Sequence, residues 1–435
     1  MPSPATHRPT VAIIGAGWAG LACALRLAES GYQPVLFESA PEPGGRARRA
    51  KVADHWRDNG QHLMLAGCRA LRHLFATLGL KLPQVPFHYV DGKRQLKLGH
   101  PGAFQLIQLL RALWQASGFT LGERWALIRA LQSLHLRRWI VPQEQTVLDW
   151  LQVHNQPAAL IAHFWVPLAL AILNTPPEEA AMQRLAAVLR DTLGSGADAL
   201  SILQPEGNFS DSIVTPWVSA IRSAGGQLHC SQRVTRIEPV ANAYNVVLQG
   251  EVAPRIFDQV VLAVAPWSLV HLQLPFDVVN LVARFGHQPI GTVYLGFDPA
   301  VRLPAPLMQL AGPTAADARI WAMDRAHCSE PGVIAIALSA DGPWTALDHT
   351  TLAQRCLDQL RKTGLHAPCN WQRVVVVQKA TPAAGLNARL LPAEATPLPG
   401  FWLTGDWTHP VYPATLEAAV DSGWQTAGKI MSGRH

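Results

Sequence analysis

The stretch Thr10 to Arg49, TVAIIGAGWAGLACALRLAESGYQPVLFESAPEPGGRARR, constrains this chain more than any other. Thr10 to Ile14 is a short apolar, β-branched run of the kind a buried parallel strand uses. Gly15, Ala16, Gly17, Trp18, Ala19 and Gly20 then spell G-x-G-x-x-G. In that pattern the first glycine allows a tight turn, the second lets the backbone approach a pyrophosphate, and the third lets a helix pack close to the strand. Leu21, Ala24, Leu25 and Ala28 recur at helical spacing, and Gly31 ends the helix. Pro34 to Phe37 reads as the next strand, with Glu38 at its end, where a carboxylate accepts the ribose hydroxyls of an adenosine. Strand, turn, helix and acid fall where a dinucleotide site needs them. An acid rather than a base at position 38 predicts FAD or NAD over NADP.

A second glycine pair, Gly44-Gly45, is followed by Arg46. Amides at a Gly-Gly turn face phosphate readily, and Arg46 is expected to pair with the pyrophosphate. The alternative is a basic surface loop, since Arg48 and Arg49 stand beside it. Further on, Asp58-Asn59-Gly60-Gln61-His62 is polar and turns abruptly apolar. A glycine among hydrogen-bonding side chains, soon after a phosphate loop, suits a segment lying against a planar ring. A plain Asn-Gly turn reads equally well.

These motifs together resemble the squalene-associated FAD-dependent desaturases of the amine oxidase and phytoene desaturase superfamily. The resemblance rests on GAGWAG with Glu38, on GGRARR, and on RDNGQHLMLAG, and it resumes near the C-terminus. It departs at Met64 to Cys68, where that family more often has leucines and then Gly-Ala-Tyr. It implies an α/β fold, with a Rossmann-type FAD-binding domain carrying an inserted α+β substrate domain. The expected division is 1–90, 205–267 and 396–435 for the FAD domain, and 91–204 and 268–395 for the substrate domain. Family members with an assigned activity are hydroxysqualene dehydroxylases, so the resemblance implies a lipophilic isoprenoid substrate. It also implies a separate electron donor and prenyl-condensing enzymes as pathway partners. Polyene desaturation of the phytoene type is the next reading. Amine oxidation is the third, with Trp407 and Tyr412 as the obvious aromatic candidates near a flavin.

The resemblance also assigns residues. Val234, in Arg233-Val234-Thr235-Arg236-Ile237, would hold the adenine edge through its backbone. In GFWLTGDWTHPVYPATLEAAVDSG, Gly405 would end a strand and Asp406 would bind the ribityl chain. Ala414, Thr415 and Leu416 would lie near the isoalloxazine. Pro413 is expected to open a helix whose free amides meet the anionic edge of the flavin. No cysteine stands near that loop, so no thioether-bound flavin is expected. Reductive removal of an allylic hydroxyl needs a proton donor, and Asp58 and His62 are the candidates because they flank Gly60. Both could instead only fix the loop.

Composition bounds the remainder. The 435 residues are 49% hydrophobic and 15% charged, which excludes a disordered chain and allows two domains. The six cysteines are scattered without C-x-x-C or Cys/His metal spacing, so reduced thiols in a cytoplasmic enzyme and no metal are expected. The first strand starts near residue 10, which predicts no signal peptide. The longest apolar run, Ala158 to Leu173, contains His163 and Pro167 and is too short for a spanning helix. His163 reads as a core histidine, and the run from Thr146 to Thr175 reads as helical. The net charge of +6 suits anionic partners; no nucleic-acid motif is present, which favours a membrane surface at the inner face of the cytoplasmic membrane.

Between residues 93 and 138, Lys93, Arg94, Lys97, Arg111, Arg124, Arg129, Arg137 and Arg138 face one acid, Glu123. The apolar residues between them, Phe104, Leu106, Ile107, Leu109, Leu110, Leu113, Trp114, Trp125, Leu127, Ile128, Leu131 and Leu134, predict amphipathic helices with a cationic face. Two readings stand: helices packed on the substrate domain with solvated arginines, or a membrane-facing entrance for a lipid. Expected strands in the last third are Thr292 to Phe297, Ile320 to Met323, Val333 to Ser339 and Arg373 to Gln378, with a helix over Thr351 to Lys362.

Overall fold

The computed structural model describes residues 8–98, 111, 112, 114–142, 144–194, 199, 201–283, 285–386, 391 and 396–433. Phe104, Leu106, Ile107, Leu109, Leu110 and Leu113 lie outside the described residues.

Five short strands from widely separated parts of the chain form one sheet, in the order Gln227–His229, Gln33–Phe37, Thr10–Ile14, Gln259–Leu262, Phe401–Leu403. Every neighbouring pair is parallel. The central three strands are buried on both faces, so they read as continuous apolar runs rather than alternating ones. The helix Trp18–Glu29 leaves the first strand and packs against the C-terminal helix Leu416–Ser432 and against Thr215–Ser223. Two glycines permit this close packing. A Cβ on Gly20 would stand 2.1 Å from the carbonyl oxygen of Gly15, and one on Gly423 would stand 2.3 Å from that of Ala19.

A seven-stranded sheet builds the second region, in the order Trp371–Pro382, His287–Gly296, Val333–Ser339, Ile320–Asp324, Leu307–Leu310, Phe87–Asp91, Arg94–Leu98. All its pairings are antiparallel except Leu307–Leu310 with Phe87–Asp91. The strands expected at 292–297, 320–323, 333–339 and 373–378 all fall in it. A layer of helices that includes Leu121–Leu136, Val147–Val153, Val166–Leu173 and Met182–Gly194 packs on one face, and His349–Arg361 on the other. The sheet already begins at Phe87, inside a hairpin that spans the expected division at residue 90.

Two expected helices differ from those observed. Thr146 to Thr175 is not one helix. It breaks at His154, where Asn155 takes a left-handed φ of 48° before Pro157, and it resumes through a wide turn at Ile161–Trp165. Two helix starts result, at Val147 and Ala158, because Asn tolerates that conformation and proline favours a helix start. The C-terminal helix starts at Leu416 rather than Pro413. The Thr415 hydroxyl accepts from Ala418 N at 3.2 Å and so fixes the cap two residues later.

Candidate active site

The carboxyl ends of the parallel strands open into a cavity of about 570 Å3, in the size range of small-molecule sites. Gly15, Glu38, Ala263 and Gly405 lie just beyond the ends of four of those strands and line it. Ligands of open α/β sheets bind at this edge because loops diverge there on either side of the point where the strand order reverses.

The lining joins segments almost four hundred residues apart. It includes Gly15, Gly17, Trp18, Ala19, Glu38, Gly44, Gly45, Arg46, Asn59, Gly60, Gln61, His62 and Val234. Gly405, Asp406, Ala414, Thr415 and Leu416 close the other side. Of the residues expected at the cofactor, Gly20 alone is outside the lining. It serves helix–turn packing instead.

At the Glu38 end the carboxylate accepts from Ala16 N at 2.9 Å and Ala40 N at 2.8 Å, which holds it beside the glycine turn. Gly44 N donates to Ala16 O at 2.8 Å, so the two glycine loops are locked together. The Arg46 guanidinium does not point away as a surface loop would. It pairs with Asp406 at 2.6 Å and donates to Ala380 O at 2.8 Å. Arg46 therefore ties the N-terminal loop to the C-terminal one, and a phosphate role would share it with that carboxylate.

Five buried polar atoms in this lining have no partner: Trp18 Nε1, Asn59 Oδ1, His62 Nε2, Gln232 Oε1 and Asp406 Oδ1. Buried polar atoms are nearly always bonded, so a cluster of orphans along one cavity marks the places of a ligand's polar atoms. The spread from Glu38 and Gln232 to Asn59 and Asp406 fits an elongated dinucleotide.

The structure separates the two expected catalytic residues. Asp58 is 2% exposed and is not in the cavity wall. Its carboxylate accepts from Phe209 N at 2.8 Å and faces Arg325 Nη2 at 3.5 Å. Burial pushes its pKa up to about 6, against the pull of Arg325 and of the Phe209 amide. A carboxyl held this way positions the loop and does not touch a cavity ligand. His62 does line the cavity, but burial and the nearby Arg46 charge push its pKa down to about 4. The backbone of Arg46, a hydrogen-bond partner, opposes the shift only in part. Near neutral pH His62 is an uncharged imidazole with Nε2 free, so it is not the expected imidazolium acid.

Beneath this loop lies a polar network that the sequence did not reveal. Gln61 Nε2 donates to Tyr294 Oη at 2.8 Å, and Tyr294 Oη donates to Asp58 O at 2.6 Å. Arg325 Nη1 donates to Gln61 Oε1 at 2.9 Å and Arg325 Nε to Glu330, while Arg57 Nε lies 2.6 Å from Glu330. Tyr294 and Arg325 are buried in and beside the second sheet. Burial and the neighbouring carboxylates push the Tyr294 phenol up, and against the opposing pull of burial Cys328, Tyr294, Glu330 and Asp58 hold Arg325 charged. The one available signal was a lone arginine directly after an apolar strand, Ile320–Asp324, and such residues are usually solvated.

The opposite wall joins Leu63 to residues of the second sheet and its helical layer. Leu63, Ala171, Ile172, Ile290 and Val377 make it apolar, and Lys379 and Thr381 add polar groups. Trp407 also lines the cavity, with its ring nitrogen donating to Val264 O at 3.1 Å and its ring in an edge-to-face pair with Phe285. Tyr412 is outside the lining and bonds to Asp191. His163 stands apart, 3.2 Å from Asp91 in the second region.

Residues 18–431 match the flavin containing amine oxidoreductase family. The chain belongs to this family. It is 27% identical over 440 residues to the hydroxysqualene dehydroxylase of Rhodopseudomonas palustris, covering 97% of this chain and 98% of that protein. It is 23% identical to the 15-cis-phytoene desaturase of Narcissus pseudonarcissus, covering 97% and 79%. Among solved structures, a putrescine oxidase triple mutant overlays with a TM-score of 0.73 at 15% identity, covering 98% and 99%. A putative protoporphyrinogen oxidase from Exiguobacterium gives 0.69 at 16%, covering 98% and 100%. The protein is an FAD-dependent oxidoreductase of α/β fold, and the orphaned polar atoms of the cavity fit its cofactor.

Proposed function

We propose that this enzyme acts on a polyisoprenoid and replaces the allylic hydroxyl of hydroxysqualene by hydrogen, giving squalene. The observation that carries this reading is end-to-end similarity to hydroxysqualene dehydroxylases, at 25–27% identity over nearly the whole of each chain. The apolar wall of Leu63, Ala171, Ile172, Ile290 and Val377 suits a hydrocarbon chain. The aromatic candidates for an amine site lend that alternative little support, since Tyr412 is outside the cavity and bonded to Asp191.

When bound and reduced, FAD supplies a hydride. The residues of the chain must orient the allylic carbon, exclude water and protonate the departing oxygen, because hydroxide leaves poorly. The neutral His62, with Nε2 free, can accept a hydrogen bond from the substrate hydroxyl and so orient it. Lys379 lines the cavity and is the side chain assigned here to protonate the departing oxygen. The network of Asp58, Gln61, Tyr294 and Arg325 fixes the loop that carries His62.

Purified FAD-loaded protein incubated with hydroxysqualene and a chemical reductant should form squalene, and form none without the reductant. Lys379→Met should slow single-turnover conversion about 100-fold or more. A desaturated product that needs an oxidant would replace this reading by polyene desaturation. No turnover under either condition would remove both.

A further inference from the structure

One face of the molecule carries large apolar side chains in water. Among the described residues, Trp114, Leu121, Trp125, Leu136 and Ile140 are 62–77% exposed within a 27-residue span. Leu121, Trp125, Arg129, Gln132 and Leu136 are all exposed on the helix Leu121–Leu136. At 100° per residue they share an arc of about 80°. The opposite side of that helix, Ala126, Leu127, Ala130 and Leu134, is buried. The face is thus an uncovered apolar stripe rather than scattered residues.

The segment ahead of the helix is fastened to it. Arg124 donates to Trp114 O at 2.8 Å, Ala116 O at 2.7 Å and Phe119 O at 3.2 Å, which sets Trp114 beside the first turn. A capping box between Thr120 and Glu123 fixes the helix start.

Charge tells which partner the stripe fits. Residues 92–143 hold eight Lys and Arg and a single acid, while the whole chain has a net charge of +6. That acid, Glu123, is buried and spent on Thr120 and on Arg94, at 3.0 Å. Arg129 at the edge of the stripe and Arg137 and Arg138 just beyond it are exposed. Exposed tryptophan and leucine with arginines beside them, on a helix whose one acid is the buried Glu123, match an interface of acyl chains beneath anionic headgroups. The buried side of the helix shares one core with Trp165, Ala169 and Leu173, and that core is packed by Ile172, which also lines the cavity. The stripe therefore lies on the helical layer that walls the active site.

We propose that this face docks on an anionic lipid surface, with Trp114, Leu121, Trp125 and Leu136 inserted and Arg129, Arg137 and Arg138 at the headgroups. This goes beyond the assignment of the reaction and does not depend on which polyene is the substrate.

The test is co-sedimentation of the FAD-loaded full chain with phosphatidylcholine vesicles, with and without about one-third phosphatidylglycerol. The expected result is binding to the anionic vesicles only, reversed by salt, as screening of surface charge requires. Trp125→Glu combined with Leu136→Glu should weaken binding tenfold or more. Arg129→Gln, Arg137→Gln and Arg138→Gln together should do the same without removing any apolar group. Flavin absorbance and thermal midpoint should match wild type in both variants, which separates lost docking from lost folding. Undiminished binding by both variants, or equal binding to neutral vesicles, would overturn the proposal. So would a dimer in light scattering that Trp125→Glu with Leu136→Glu dissolves, since the stripe would then be covered by a second copy.

Discussion

The two ends of the cavity are built differently. At the nucleotide end, most of the groups come from one continuous stretch, Gly15 to Arg46, joined by Gln232 to Val234, and most of them act through the backbone. Gly15 holds φ at +106°, where a Cβ would lie 2.9 Å from Ala263 O, and Glu38 is fixed by amides of Ala16 and Ala40. At the Asp58–His62 end, the loop owes its shape to side chains from distant segments: Phe209 through its amide, Tyr294 through its hydroxyl, Arg325 and Glu330 through charge. The first kind of site depends on steric permission, the second on compensated burial. They should therefore fail in different ways.

The largest effect is expected at the backbone-built end. Gly20→Val would force a side chain into the 2.1 Å gap to Gly15 O, with no flexible neighbour to yield. The expected outcome is protein without bound flavin, or none folded, read by flavin absorbance of the purified chain. Retention of stoichiometric flavin would break the account of that end.

Next comes the charge-built end. Arg325→Met leaves Asp58 and Glu330 without their shared cation. Loss of one partner of a buried pair costs about 3–5 kcal/mol. Protonation of Asp58, already poised near pH 6, should bring the loss to the lower end. Denaturant unfolding measures it, and a loss below about 1 kcal/mol would show that the network is decorative. Unlike Gly20→Val, this variant should still fold and bind flavin.

The smallest effect sharpens the comparison within one loop. Burial acts on Asp58 and His62 with opposite signs. Asp58 has its folded pKa raised to about 6, so its contribution is full below its unfolded value and is lost as pH rises through 6. His62 has its folded pKa lowered to about 4, so stability is lost as pH falls from its unfolded value toward 4. Each shift corresponds to about 3 kcal/mol, and over pH 4–6.5 the two nearly cancel. Asp58→Asn should expose a stability that rises with pH across that window, and His62→Gln one that falls. Thermal midpoints at half-unit pH steps read both slopes. Parallel slopes in the two variants would refute the opposed shifts.

How much was legible beforehand follows the same division. Every expected cofactor residue except Gly20 reaches the cavity wall, including Val234 and the Gly405–Leu416 segment that rested on family resemblance. The chemistry assigned to individual side chains fared less well. Arg46, expected at a phosphate, does line the cavity, where it also pairs with Asp406 and Ala380 O. Asp58 was expected at the substrate and is found turned toward Phe209 and Arg325. His62 was expected to be ready to protonate and is held neutral. The C-terminal helix was expected from Pro413, and the Thr415 cap moves it to Leu416.

Sequence by itself determined the strand–glycine turn–helix unit, its acid, and the requirement for a dinucleotide without a 2′-phosphate, while the choice of flavin rested on family resemblance. These are local demands, set by φ, by the absence of Cβ atoms and by spacing along one strand and one helix. Tertiary structure alone decided which carboxylates, imidazoles and guanidines face the cavity and in what charge state. Those properties depend on desolvation and on partners two or three hundred residues away. Tyr294 and Arg325 look like an ordinary strand tyrosine and a surface arginine until the second sheet folds over the Asp58 loop and removes the water from both.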